Sequence, residues 1–472
     1  FQAEDGIRDF CLSRGLGDVY KRQAYDIRGH ADTDLNRATI DGLGRAIGSL
    51  ALRGGQTTLV VGRDGRLSSP RIYQQLIDAL QATGCDVIGI GLVATPLLYF
   101  ATHHCGTQAG VMVTGSHNSS DMNGMKIVLD GQALSASSIQ GLRAMIDEDL
   151  LATGAGQLKT CDISEHYIAA VQASLPLLPP LKVVLDCCHG AAGPIAARLY
   201  RSMGCDVVTL YDSVDGNFPA HSPDPFKPGS LDSLKHTVKA VNADLGLAFD
   251  GDAVRFVAID ELGRSLDSDQ LMMLFVEAVT QAWPDATIVY DIKSSQRLAA
   301  WIERCGARGV ISKSGHSLIK QQMRREQAAL GGEYTGHYFF AQGWFGFDDG
   351  LYAGLRLLSL LDDKPSLATL QSELPAIGIS SERHIAVSDK DKFAIVERFV
   401  KVLEANPLVT DQRLMLDGIR LTTPTGWGLL RASNTSAMLN LRFEGDNEAA
   451  LSLIEQRFMP VLQTILNAYT EQ

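Results

Sequence analysis

The sequence predicts an α/β protein: three similar α/β domains with mixed sheets, then a smaller C-terminal α+β domain. Three observations carry this prediction. A strand–loop–helix–strand order recurs three times along the chain. The final stretch then changes to two helical segments flanking short strands. The 472 residues allow three or four domains, and 45% apolar with 20% charged residues supplies an ordinary globular core. The expected divisions are 24–153, 154–262, 263–375 and 376–472, with a linker through Leu150–Gly156.

Composition excludes some function classes. The net charge is −12 and no basic block stands out, so nucleic acid is not an expected partner. An anionic ligand must therefore be held by local positive charge. No apolar run spans a bilayer, so no membrane partner is expected. The eight cysteines include no CxxC pair, and the adjacent Cys187 and Cys188 suit a disulfide poorly; reduced thiols and a cytoplasmic monomer are expected. Residues Phe1–Gln23 have no initiating Met, no apolar signal core and little periodicity. They read as a non-native or disordered extension, similar to translated sequencing-adapter read-through.

In the first domain, Ala24-Tyr25-Asp26-Ile27-Arg28-Gly29 offers a guanidinium that either meets a phosphate or pairs with Asp26. Leu59–Gly62 is an apolar strand, followed by Arg63-Asp64-Gly65-Arg66. Ser69 is placed to cap a helix with Pro70 at its first position, Ile72, Leu76, Ile77 and Leu80 on its apolar face, and Gly84 at its end. Val87–Ile90 is the next strand. His103 and His104 fall on a helix after Pro96 and point apart, against a shared metal. Val111–Val113 then runs into Thr114-Gly115-Ser116-His117-Asn118, and a second apolar run starts at Met125. This is strand, tight loop, strand, with Ser116 displayed at a tip where Gly115 and Asn118 tolerate unusual backbone angles. A serine hydroxyl needs neighbours to act as a nucleophile; His117 and Lys126 are candidates. The competing reading is a polar surface turn.

The second domain reads as strand Lys182–Asp186, loop, helix Pro194–Met203, strand Asp206–Leu210, helix Ser230–Val241 and strand Leu245–Phe249. Asp250-Gly251-Asp252-Ala253-Val254-Arg255 follows. Two carboxylates one residue apart at a strand end suit a hard cation such as Mg²⁺, or form an acidic turn with Arg255 as counter-ion. The third domain starts with Leu271–Ala282 and Thr287–Ile292. Its loops carry Lys293, then His316, then Gly332-Glu333-Tyr334-Thr335-Gly336-His337. Glu333 and Thr335 can hold sugar hydroxyls, and Lys293, His316 and His337 are candidate donors. Trp344, Phe345 and Phe347 read as domain packing. The last domain has helices Asp391–Glu404 and Glu448–Asn467. Between them lies Leu430-Arg431-Ala432-Ser433-Asn434-Thr435-Ser436, an oxyanion cradle or a solvated turn, before strand Leu439–Phe443.

Taken together, the loops TGSHN, DGDAVR, GEYTGH and RASNTS resemble, in order, those of the α-D-phosphohexomutases, and within them the phosphomannomutase/phosphoglucomutase branch, from Ala24 to the C-terminus. The resemblance implies four domains around a central cleft. It also implies a phosphoenzyme at Ser116 that reacts through a hexose 1,6-bisphosphate. On this resemblance Ser116, Arg28, Lys126, Arg255 and His337 are catalytic, and Ser116, Asp250 and Asp252 hold Mg²⁺. Tyr25, Lys293, His316, Glu333, Thr335, Arg431, Ser433, Asn434 and Thr435 bind a small-molecule hexose phosphate, with tolerance at C2 of the sugar. Val254 stands where the family's metal loop has a third Asp, which leaves room for a weak phosphosugar-binding protein or a serine-dependent sugar phosphatase. Ser119-Ser120 and Ser436-Ala437 are lesser departures, where the family often has Pro.

Overall fold

The structure is a computed structural model and describes residues 26–134, 136–362, 366–405, 412–433 and 437–470. The extension at 1–23, Tyr25, Asn434 and Thr435 lie outside them. The chain forms two compact units, one of Phe1–Ser268, Ala329–Gly331 and Thr335–Glu373, the other of Asp269–Ala328, Gly332–Tyr334 and Leu374–Gln472.

The first unit holds two mixed sheets. In the larger, β1 (Ile27–His30), β2 (Thr58–Arg63), β3 (Asp86–Leu92), β4 (Gly110–Val113), β5 (Met122–Leu129), β6 (Gln132–Ala133) and β7 (Leu158–Thr160) follow the order β1-β5-β4-β2-β3-β7, with β6 on β5. Strands β2, β3, β4 and β7 run parallel, and β5 is antiparallel to both of its neighbours on that path, β4 and β1. The all-apolar β4 is buried along its whole length, as expected for a strand covered on both faces. Register sets Arg28 opposite Gly124 and Lys126 opposite Met112, so both cations lie on strands beside the loop that follows β4. The second sheet has the order β11-β10-β8-β9, from β8 (Lys182–Asp186), β9 (Asp206–Leu210), β10 (Leu245–Phe249) and β11 (Phe256–Asp260). The hairpin between β10 and β11 is the Asp250–Arg255 loop.

In the second unit, β12 (Thr287–Asp291) and β13 (Arg308–Ser312) pair in parallel. Two short strands, β14 (Leu330–Gly332) and β15 (Tyr338–Phe340), come next in the chain. An antiparallel sheet of β16 (Ile379–Ala386), β17 (Gln412–Leu414), β18 (Ile419–Thr423), β19 (Gly426–Ala432) and β20 (Met438–Gly445) has the order β16-β20-β19-β18-β17. Helices Lys392–Ala405 and Glu448–Thr470 pack Phe399, Phe458 and Leu462 into its core.

One local expectation needs correction. The helix after β2 spans Ser69–Gln81, and neither Ser68 nor Ser69 caps it through a side chain. Ser69 Oγ instead donates to Asp64, whose negative charge is the stronger acceptor. Trp344 and Phe347 are buried, and Phe345, though 45% exposed, packs against the rings of Phe100, His103, Trp344 and Phe347, as expected. The described cysteines are all free thiols, and among the described residues no helix is long and apolar enough to cross a membrane.

Candidate active site

Ser116 sits in the turn after β4 at φ +52°, a left-handed position that L side chains rarely adopt. The sequence reading gave that freedom to Gly115 and Asn118, yet neither has a positive φ. Gly115 serves by lacking a side chain: a Cβ there would lie 2.5 Å from the Arg66 guanidinium. Nor is Ser116 displayed to solvent, since it is 2% exposed. Its Oγ donates to Asp250 Oδ2 at 3.4 Å and lies 3.3 Å from His117 Nδ1. Burial, reinforced by the charges of Arg255, Arg28 and Lys126, holds the His117 pKa well below the ordinary histidine value, so its ring is neutral.

The two aspartates after β10 divide their oxygens. Asp250 Oδ1 accepts the backbone N–H groups of Val254 (2.9 Å) and Arg255 (3.0 Å). Asp252 Oδ2 accepts Lys126 Nζ (2.7 Å) and Thr95 Oγ1 (2.6 Å). Burial disfavours the Lys126 ammonium, but Asp252, Asp26, Asp348 and Asp250 outweigh it and raise its pKa above the ordinary lysine value. Burial also opposes the Asp252 anion, and Lys126 overcomes it, so Asp252 is held low. Asp250 is pushed up by burial and by the Asp252 charge.

These residues fit a divalent cation. Asp252 Oδ1 is buried with no hydrogen-bond partner among the described residues, and Asp250 Oδ2 has the Ser116 hydroxyl beside it. The oxygen donors are hard, as Mg²⁺ requires. Among the described residues no three His, Cys, Asp or Glu side chains gather as a metal cluster, so the two aspartates would need further oxygen ligands beside them.

Arg255 acts on that loop through its charge, which opposes the rise of the Asp250 pKa, and not through an ion pair in contact. Its Nε donates to His337 Nε2 at 2.8 Å. Because an arginine Nε always carries hydrogen, Nε2 must be the acceptor, which leaves the ring proton on Nδ1, 3.2 Å from Asp348 Oδ2. Arg28 pairs with Asp26 at 2.9 Å. The first unit thus brings together Ser116, Asp250, Asp252, Lys126, Arg28, Arg255 and His337. Sequence reasoning missed Thr95 and Asp348. It noted Arg66 and Asp64 in passing without a role, although two charged residues at a buried strand's end were a usable signal.

Thr335 belongs to the first unit, whereas Lys293, His316, Glu333, Arg431 and Ser433 belong to the second. Glu333 Oε1 accepts Gly315 N at 2.5 Å. Burial and the Arg431 charge, opposed by Asp291, lower the Lys293 pKa. His316 is buried at the start of helix His316–Glu326. Arg431 pairs with Asp417 at 3.0 Å, while its buried Nε has no hydrogen-bond partner among the described residues. Arg442, also missed, lies with its guanidinium 3.5 Å from the Tyr334 ring centre.

Comparison with known proteins agrees with this geometry. Models described as phosphoglucomutase/phosphomannomutase alpha/beta/alpha domains I, II and III match residues 20–152, 165–263 and 267–377, and the C-terminal domain model matches 383–461. The chain is 44% identical over 444 residues to a phosphomannomutase/phosphoglucomutase of Pseudomonas aeruginosa, covering 94% of this chain and 95% of that one. It is 38% identical over 454 residues to a phosphoglucomutase of Neisseria meningitidis, covering 95% and 97%. A crystal structure of a phosphoglucomutase/phosphomannomutase family protein from Burkholderia thailandensis matches with a TM-score of 0.88 at 37% identity, covering 95% and 97%. The chain therefore belongs to the phosphoglucomutase/phosphomannomutase family and is a phosphohexomutase.

Proposed function

We propose that the protein interconverts hexose 1-phosphates and hexose 6-phosphates, of glucose, mannose or both, through a phosphoserine at residue 116. The observation that carries this reading is the buried Ser116 hydroxyl, facing Asp250 and accompanied by Lys126, Arg255 and Arg28. In the first half-reaction the bond from Oγ to phosphorus breaks as a sugar hydroxyl oxygen bonds to it. The hydroxyl proton passes to Nε2 of His337 once Arg255 turns from that nitrogen to the transferring oxygens, while the Asp348 carboxylate near Nδ1 favours the ring's positive charge. The hexose 1,6-bisphosphate so formed reorients, and its other phosphoryl group returns to Ser116 as His337 gives the proton back. A Mg²⁺ held by Asp250, Asp252 and the Ser116 phosphate would neutralise charge on the transferring oxygens.

Glu333 and Thr335 grip the sugar 3- and 4-hydroxyls, which glucose and mannose share. Arg431 and Ser433, with Asn434 and Thr435, hold the phosphate that does not react. Lys293, His316 and Tyr25 complete the substrate contacts. The division into domains 24–153, 154–262, 263–375 and 376–472 is supported by the two sheets of the first unit and the parallel pair and antiparallel sheet of the second. We take the working form to be a cytoplasmic monomer. The test is incubation with glucose 1-phosphate or mannose 1-phosphate, Mg²⁺ and catalytic glucose 1,6-bisphosphate. Formation of the 6-phosphate is expected; release of inorganic phosphate alone, or no turnover, would overturn the reading.

A further inference from the structure

Arg66 is 1% exposed, and every one of its N–H groups is used. Nε donates to Asp64 Oδ2 at 3.1 Å. Nη2 donates to the carbonyls of Ser116 (2.8 Å) and Asn118 (2.7 Å). Nη1 donates to the carbonyls of Met122 (2.9 Å) and Ser119. A guanidinium has five such donors in a rigid plane, so the loop 116–122 is wrapped around one side chain with no donor to spare.

Asp64 ties the near side of the same loop. Besides Arg66 it accepts Thr114 Oγ1 (2.8 Å) and Gly115 N (3.2 Å), and Thr114 Oγ1 in turn accepts Ser116 N (2.8 Å). Gly115 before the left-handed Ser116, Asn118 two residues after it, and Ser116 itself at its carbonyl and, through Thr114, at its N–H are thereby fixed to this pair. The Phe218 ring lies 5.1 Å from the guanidinium carbon. None of these contacts is made by the hydroxyl that reacts.

We propose that Arg66 is a positioning residue for phosphoryl transfer: it fixes the backbone of Ser116 so that Oγ faces Asp250. The proposal rests on the reading of Ser116 as the phospho-acceptor. Turnover by the parent enzyme tests that reading, and only the variants test Arg66. For Arg66→Gln, assayed below its melting temperature, kcat should fall by about 100-fold while KM for glucose 1-phosphate stays within about threefold, the signature of misplaced reacting atoms. Arg66→Lys keeps the charge with three donors and should recover part of kcat. Rephosphorylation of the dephosphoenzyme by glucose 1,6-bisphosphate should slow in the same proportion.

If neither variant folds, Gly115→Ala is the second arm. Its Cβ would lie 2.5 Å from the guanidinium and 2.7 Å from Met122 O, so it should wedge the loop off Arg66 and lower kcat with KM kept. A folded Arg66→Gln or Gly115→Ala with the parent kcat, a loss confined to KM, or an Arg66→Lys no better than Arg66→Gln would overturn the proposal.

Discussion

The residues around Ser116 and those around Arg431 solve different electrostatic problems. In the first unit almost every charge already has a mate: Lys126 on Asp252, Arg28 on Asp26, Arg255 on His337. In the second unit the cations are left with buried capacity. Arg431 Nε, Arg442 Nε and Arg442 Nη2 have no hydrogen-bond partner among the described residues. A group that must stabilise developing charge gains from being fixed before the reaction, because nothing then has to reorganise. A group that must capture and release an anion gains from unmet donors, because a buried donor without a partner is costly until the ligand arrives. On the proposed function the first region serves chemistry and the second capture, and substitutions in the two should then fail differently.

The largest failure should come from Ser116→Ala, which removes the phospho-acceptor. We expect kcat to fall by at least ~10⁴-fold, the scale seen when a nucleophile is deleted. Binding of glucose 1-phosphate, measured by calorimetry, should survive. Phosphopeptide mapping of the parent should find phosphate on Ser116. Phosphate only elsewhere, with an active Ser116→Ala, would break the assignment of the first region.

Arg431→Ala should show the opposite pattern. Losing a two-point hydrogen bond to a phosphate costs about 1.5–3 kcal/mol, so KM should rise roughly 10- to 150-fold with the protein still folded. Unchanged KM and unchanged inhibition by inorganic phosphate would remove Arg431 from the capture region.

How much of this contrast was legible in the sequence differs by element. Strands Lys182–Asp186, Asp206–Leu210 and Leu245–Phe249 match their expected bounds, because each is a short apolar run with charged residues at or beside its ends. The order of the four loops was readable because each keeps its chemical residues within a few positions. Arg66 and Asp417 were not readable in role. What buries Arg66 is a set of carbonyls fifty or more residues further along the chain, and no local pattern announces them. Ser69 was misassigned for a related reason: a cap position and a buried carboxylate competed for one hydroxyl, and only the fold shows which is nearer.

Val254→Asp sharpens the first region. Val254 is fully buried and contributes only its N–H, to Asp250 Oδ1. Adding a carboxylate there should tighten Mg²⁺ by roughly tenfold, the low end for residues that support a metal site. Calorimetric titration of parent and variant reads this apart from activity. Superimposable curves would show that the pair of aspartates suffices and that Val254 costs nothing.

The smallest effect should come from Asp417→Asn, and it tests whether the capture region is truly unmet. Arg431 is not wholly free: Asp417 Oδ2 stands 3.0 Å from its Nη2. An incoming phosphate must either displace that carboxylate or share the guanidinium with it, against a like charge. The pair is largely buried, with side chains 9% and 15% accessible, but Asp417 Oδ2 makes no hydrogen bond among the described residues, so we expect its hold on the guanidinium to be modest, about 1 kcal/mol. Removing the charge while keeping the shape should therefore tighten inorganic phosphate by up to about fivefold and lower KM similarly, with kcat little changed. Salt should change the gain little, because a pair this buried is poorly screened. If Asp417→Asn instead weakens phosphate binding, Asp417 is holding Arg431 in its binding pose. The second region would then be prearranged by its own carboxylate, as the first is, and the contrast between the two would be one of degree.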